Sequence, residues 1–355
     1  MPKAKWLALG VGLFVLALIG IQEELMPTAA NRVAAVAILM AVLWITEAIP
    51  IPATALLPIV LFPLMDVMRI EAATANYAHH LVFLFLGGFW IAAAVERCNL
   101  HRRIALHVLA LIGSRQDRIV LGFMLATAFL SMWMSNTATT MMMLPIAMAV
   151  STRLGTDSHT PFGRSLMLGI AYAASIGGVA TLIGTPPNAV LAGIVEKTLS
   201  IRISFGQWML FGLPLAAVML AICWLYLTRV TARLAGVEGA HGAQVIDSER
   251  AALGRMTTAE RRVLLVFSGV AVLWVFKGLV PIAAVNTLSD STVAMAGALL
   301  LFVLPYGGGS KQALLDWAAA ARIPWDVLIL FGGGFALAQG FQQSGLTEWI
   351  GPVSY

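Results

Sequence analysis

Ser131, Ser135 and Asn136 fall at spacings of four and one inside a long apolar run, 119–150, and Thr137 follows directly. A second polar interruption, Gly184-Thr185-Pro186-Pro187-Asn188, breaks another apolar run downstream. Polar, helix-breaking residues at membrane depth are costly, because unpaired backbone groups find no water there; they persist where protein surrounds them or a pathway is lined. The chemistry they suit is ion capture. A sodium ion takes several oxygen ligands, which broken helices supply as carbonyls released from the helical ladder, together with hydroxyl and amide oxygens. Ser131, Ser135, Asn136 and Gly184 are the candidates for such a cage, the two serines standing one turn apart on a helical arm. Gly184 qualifies because the prolines after it remove donors and turn their predecessors away from helical angles. Thr137 and the amide nitrogen of Asn136, with nearby helix N-termini, are the donors open to a carboxylate or similar anion. Taken singly, Asn136 also suits a hydrogen bond across helices, and Pro186-Pro187 a simple bend. Their joint occurrence in one half of the chain favours a transport site.

The elements that must hold these residues are membrane spans. The chain is 60% hydrophobic and only 11% charged, with a mean hydropathy of +0.88, whereas a soluble domain carries about 25% charged residues. The predicted class is an all-α polytopic membrane protein. Apolar windows approaching or reaching the roughly 20 residues needed to cross the hydrocarbon fall at 6–22, 33–49, 51–65, 81–95, 165–184, 207–228, 262–280, 291–305 and 326–341. The third is short and proline-rich. Lys3 and Lys5 precede the first, which has no small-residue cleavage site and reads as a retained span.

Charge placement sets the topology. With a cytoplasmic amino terminus, and with 119–150 entering and leaving on one side, all of the 22 lysines and arginines except Arg32, Arg69, Lys197, Arg202 and Lys277 become cytoplasmic. That is the bias expected of positive-inside topology. A single crossing by 119–150 would turn Arg229 through Arg262 outward, so the pattern argues for a re-entrant hairpin with Ser135 to Thr137 near its tip. The formal charge of +5 belongs to these loops rather than to a nucleic-acid surface. Segment 96–118 has the polar spacing of an interfacial helix or of a plain connector. Segment 232–260 reads as the longest soluble loop and a boundary between halves.

An internal repeat supports that boundary. Leu84-Phe85-Leu86-Gly87-Gly88-Phe89, continuing to Ala92 and Leu100, matches Leu330-Phe331-Gly332-Gly333-Gly334-Phe335, continuing to Ala338 and Leu346, at a constant offset of 246. The topology above runs the two copies in opposite directions, the construction rule of many secondary transporters.

Other features read as structure. Cys98 and Cys223 are isolated thiols, the Met141-Met142-Met143 run is packing, and Glu47, at the junction of two spans, suits a structural cap or part of a gate, the cap being favoured. His79-His80 falls in a short external loop with no third ligand, so no metal other than sodium is expected. A membrane enzyme is disfavoured, because no His-Glu-x-x-His is present and Gly307-Gly308-Gly309-Ser310-Lys311 lacks phosphate-loop spacing.

Trp44-Ile45-Thr46-Glu47-Ala48-Ile49-Pro50-Ile51-Pro52-Ala53-Thr54-Ala55-Leu56-Leu57-Pro58, the segment from Gly87-Gly88-Phe89 through Asn99-Leu100 and Arg102-Arg103, Ser135-Asn136-Thr137 and Gly184-Thr185-Pro186-Pro187-Asn188 occur in an order that resembles the divalent anion/sodium symporter family. The resemblance covers essentially the whole chain. It implies a homodimeric, inverted-repeat carrier in a lipid bilayer, expected in a bacterial inner membrane, whose transport domain moves like an elevator against a scaffold. It implies symport of succinate, malate, fumarate, citrate or sulfate with sodium as coupling ion and no cofactor, exchange being the close variant. On that analogy Ser131, Ser135, Asn136 and Gly184 map to the first sodium site. Asn136 and Thr137 map to substrate contacts, with Thr185 and Pro186 at the adjoining break. The expected organisation is scaffold spans at 1–80, a fourth span and interfacial helix at 81–118, a transport-domain half at 119–205, a sixth span and cytoplasmic loop at 206–261, and the start of the second repeat at 262–355. A second Ser-Asn-Thr would fall near position 381, beyond Tyr355, so the expectation is a C-terminally truncated carrier holding half of a site.

Overall fold

Short polar side chains open many of the helices. Ser204 and Thr257 each accept from the backbone three residues on, while Gln207 and Glu260 reach back to the cap, forming two capping boxes. Thr160, Ser289 and Asp316 cap their helices by the same acceptance. The computed structural model describes residues 9, 11–13, 15, 16, 27–113, 115–154, 156, 157, 159–234, 240–277, 287–308 and 310–351. Lys3, Lys5 and most of the first predicted window lie outside these residues, as do Gly309, Tyr355 and the end of the 262–280 window.

The helices are α1 Thr28–Thr46, α2 Ile51–Ala55, α3 Leu57–Leu64, α4 Ile70–Ala75, α5 His80–Arg97, α6 Leu100–Ile112, α7 Gln116–Ser131, α8 Asn136–Arg153, α9 Pro161–Val179, α10 Pro186–Leu199, α11 Phe205–Leu225, α12 Ala240–Ala252, α13 Thr258–Phe276, α14 Asp290–Val303, α15 Trp317–Ala320, α16 Trp325–Gln343 and α17 Leu346–Ile350. Four described stretches, Thr28–Thr46, Ile70–Arg97, Pro161–Val179 and Phe205–Thr231, are long and apolar enough to cross a membrane. The proline-rich window 51–65 divides into α2 and α3, each opening with proline in its first turn, where a missing N–H costs nothing. Glu47 is the exposed C-cap of α1 in the left-handed region, with φ 47°.

The all-helical expectation needs one correction: β1 Pro305–Gly307 and β2 Ser310–Ala313 pair as an antiparallel ribbon. Gly307 and Gly308, with φ of 96° and 64°, take the positive-φ turn that closes such a pair. Segment 232–260 also carries more order than a loop, because α12 lies within it.

The chain divides into two units. One comprises Met1–Phe83, Val190–Ile203 and Pro324–Tyr355; the other comprises Leu84–Ala189 and Ser204–Ile323. In the first unit Val33, Val36 and Met40 of α1 pack with Phe62, Ala336 and Leu346. Tyr77 donates its hydroxyl to the Ala55 carbonyl at 2.5 Å, and a Cβ on Gly333 would collide with that same oxygen. Glycine is therefore required where α16 crosses α2. In the second unit Leu106 and Leu109 of α6, Phe123 and Met124 of α7, Met143 and Ala147 of α8, Leu166 and Ile170 of α9 and Leu220 of α11 form one buried cluster. The Leu106 and Leu109 side of α6 is thus covered by protein, while Leu111 is exposed. Its polar face holds the segment around α12: Arg102 pairs with Glu249, while Arg103 pairs with Glu260 at 2.7 Å and donates to the Leu253, Gly254 and Arg255 carbonyls. Burial raises the Glu260 carboxyl, but the donors from Arg103 and Thr257 prevail and hold it below its ordinary range.

Candidate functional site

The run 119–150 is two helices, not one. The chain leaves α7 at Ser131, turns through Met132, Trp133 and Met134, and re-enters helix at Asn136. Ser135 is the N-cap of α8, its hydroxyl accepting from the Ala138 amide at 3.2 Å. This corrects the expectation of two serines one turn apart on a single arm. A serine that satisfies the first turn of its own helix is worth about 1 kcal/mol there. The tip lies slightly earlier than expected, with Asn136 and Thr137 already in the first turn.

α7 and α9 run parallel. A Cβ on Gly169 would meet Val120 and Met124, and one on Gly177 would collide with the Ala128 carbonyl oxygen. Both helices also begin beside the end of α11, where Trp224 donates to the Asp117 carbonyl and Ser165 to the Leu227 carbonyl. α8, which joins the end of α7 to the start of α9, therefore retraces the path of α7.

The second break begins earlier than Gly184. α9 ends at Val179, and the chain is non-helical until α10 starts at Pro186. Thr181 donates its hydroxyl to the Met132 carbonyl at 2.5 Å, linking the two breaks. Asn188 donates its amide to the Gly178 carbonyl at 2.9 Å and to the Thr181 carbonyl at 2.7 Å. These side chains satisfy backbone groups that the helices leave open, as burial demands.

The structure brings Ser131, Asn136, Gly184 and Thr185 together around Gly178. The fully buried Ser131 hydroxyl lies 2.7 Å from Asn136 Oδ1 and 2.6 Å from the Ala174 carbonyl oxygen. It carries one hydrogen for those two acceptors. A Cβ on Gly178 would lie 2.9 Å from Asn136 Oδ1 and 3.2 Å from the Gly184 carbonyl oxygen, and one on Gly184 would lie 2.5 Å from the Gly178 carbonyl oxygen. Only hydrogen fits at either position. Thr137 is exposed beside this group, and Pro186 is half-buried at the start of α10. The Ser135 hydroxyl accepts the Ala138 amide and keeps its own hydrogen and a second lone pair.

Four helix ends meet here with opposite electrostatic character. α7 and α9 finish side by side, so their terminal carbonyls present partial negative charge suited to a cation. α8 and α10 begin there and present partial positive charge suited to an anion. Pro186 and Pro187 bring no N–H to the first turn of α10, so that end contributes field rather than donors. Trp133, in the first break, stacks 6.0 Å from Phe205 and 6.4 Å from Trp274, and Phe267 meets it edge-on at 5.0 Å. The turn thus rests on a rigid apolar wall.

Gly178, Thr181 and Asn188 were not anticipated in these roles. Asn188 closes a motif already singled out, and Gly177-Gly178 stands shortly before it, so a small-residue pair followed by an amide was the available signal. His79-His80 needs a correction too: Glu196, 116 residues along the chain from His80, reaches His80 Nε2 at 2.8 Å and supplies the third ligand-type group.

The chain matches the family described as the sodium:sulfate symporter transmembrane region over residues 3–354. It is similar to the sodium-dependent dicarboxylate transporter SdcS of Staphylococcus aureus strain USA300, 42% identical over 358 residues, covering 97% of this chain and 68% of that protein. The SdcS of strain N315 gives the same figures.

Proposed function

This chain belongs to the sodium:sulfate symporter family, the divalent anion/sodium symporters, and from that premise we propose that it carries dicarboxylates such as succinate, malate or fumarate into the cell together with sodium. It is an integral membrane transporter, not an enzyme. The observation that supports the sodium-coupled reading is the junction of the two breaks, where Ser131 Oγ stands 2.7 Å from Asn136 Oδ1, Gly178 packs against that amide, and Gly184 packs against Gly178. Oxygens from two interrupted helices and the carbonyl ends of α7 and α9 make a cation cage. The N-terminus of α8, with Asn136 and Thr137, faces the anion beside it.

In this reading Ser131, Ser135, Asn136 and Gly184 ligate sodium, Ser135 doing so while it caps α8, and Asn136, Thr137, Thr185 and Pro186 border the substrate. The remaining family features follow as part of the proposal: inverted repeats, a re-entrant α7–α8 hairpin, a transport half at 119–205 that moves as an elevator, a homodimer, and a bacterial inner membrane. Cation and anion neutralise one another in the site, which lowers the cost of carrying a divalent anion through a low-dielectric interior.

Uptake of labelled succinate into proteoliposomes holding the protein tests the proposal. Uptake is expected to require external sodium, with potassium failing to replace it, and Asn136→Ala is expected to reduce it about tenfold or more, the worth of one charge-assisted ligand. Uptake indifferent to sodium would sink the coupling.

A further inference from the structure

His79, His80 and Glu196 lie apart from the ion site and belong to a different chemistry. His79 ends the short turn after α4 with extended backbone, φ −61° and ψ 143°, and His80 is the first residue of α5. That change of backbone direction lets two consecutive side chains converge, their rings 4.4 Å apart. Glu196, near the end of α10, closes the group, and one ligand atom from each residue lies within 4.8 Å of the others. All three are half-buried, so an ion can reach them from solvent.

We propose that these residues form a site for a divalent transition-metal ion of the zinc class. Two imidazoles and one carboxylate suit zinc, cobalt, nickel or copper, whereas magnesium and calcium prefer oxygen alone. Tetrahedral ligands at zinc distances stand about 3.3 Å apart, so rotamer-scale closure of the present group completes the geometry. The His79 ring is already turned for ligation, because its Nδ1 accepts the Leu81 amide at 3.4 Å and leaves Nε2 free. Glu196 is oriented as well, since Arg202 approaches Oε1 at 3.6 Å while Oε2 faces His80. A partner on the second carboxylate oxygen is the usual outer support of a metal ligand. The neighbouring Lys197 ammonium is engaged elsewhere, donating to Asn76 Oδ1 and to the Phe335 carbonyl. His79 also packs on the Phe335 ring at 4.5 Å, so the convergence is held in place from outside the group and a shared cation would use all three ligand atoms.

Cobalt titration of the full chain, purified in detergent without a polyhistidine tag, reads the site directly through visible ligand-field absorption. One equivalent of Co²⁺ per chain is expected, displaced by Zn²⁺. His79→Ala and Glu196→Gln are each expected to weaken binding about tenfold or more, and His107→Ala, on α6, is expected to leave it unchanged. Unaltered thermal unfolding of His79→Ala without metal shows that its loss is one of ligation. Absence of stoichiometric binding to the parent chain overturns the proposal, as does binding that survives either substitution.

Discussion

Asn188 shows how one side chain can hold a break open. Its amide group donates to both the Gly178 and Thr181 carbonyls, and those oxygens would otherwise be drawn back into a helix or left unpaired. Buried carbonyls without donors cost about 1–3 kcal/mol. Asn188→Ala is therefore expected to lower stability by about that amount and to reduce the rise in unfolding temperature on adding sodium, both read by thermal denaturation in detergent. An unchanged sodium response would assign Asn188 to folding alone. Ser135 shows a second use of one side chain: the hydroxyl proposed as a ligand also accepts the Ala138 amide as the cap of α8.

At the scale of elements, apolar burial drives little association, because lipid and protein interior are alike in polarity; close packing then decides which helices pair. Gly177 is where α7 and α9 approach most tightly among their glycines, since a Cβ there would run into the Ala128 carbonyl oxygen. Gly177→Ala is expected to cost about 1–3 kcal/mol or more through overpacking, measured as a lower unfolding temperature, and to loosen the junction at Ser131. The spans themselves were legible as apolar windows, those at 165–184, 207–228 and 262–280 overlapping α9, α11 and α13, while their Thr160, Ser204 and Thr257 caps lie a few residues outside the windows. Both breaks were legible because polar groups in apolar runs demand an explanation. The convergence of Ser131 with Ala174 and of Asn136 with Gly178 was not, since pairs joined by packing leave no periodic trace. Glu196 escaped notice beside His80 for the same reason.

Across the whole molecule, the sequence match at an offset of 246 extends to the way two helices stop. α5 is followed by Asn99 in the left-handed region at φ 56° and then by buried Leu100; α16 is followed by Gly345 at φ 73° and then by buried Leu346. Phe85 and Phe331 are fully buried at matching positions within those helices. The left-handed conformation costs an ordinary residue roughly 1–2 kcal/mol, less for asparagine and nothing for glycine. Gly345→Ala is expected to destabilise the chain by about 1 kcal/mol, and Asn99→Gly to be neutral within about 0.5 kcal/mol, in the same denaturation assay. A loss on Asn99→Gly as large as that on Gly345→Ala would indicate that Asn99 does more than adopt the left-handed turn. Finally, the lone hydrogen on Ser131 has a consequence for turnover. Under the proposed coupling, a sodium ion that claimed Asn136 Oδ1 would leave the Ser131 hydrogen to the Ala174 carbonyl, and its departure would restore the shared bond, so neither loading nor unloading would strand a polar group. Such indifference would keep the proposed site from becoming a trap, and a shuttle must let go as readily as it grasps.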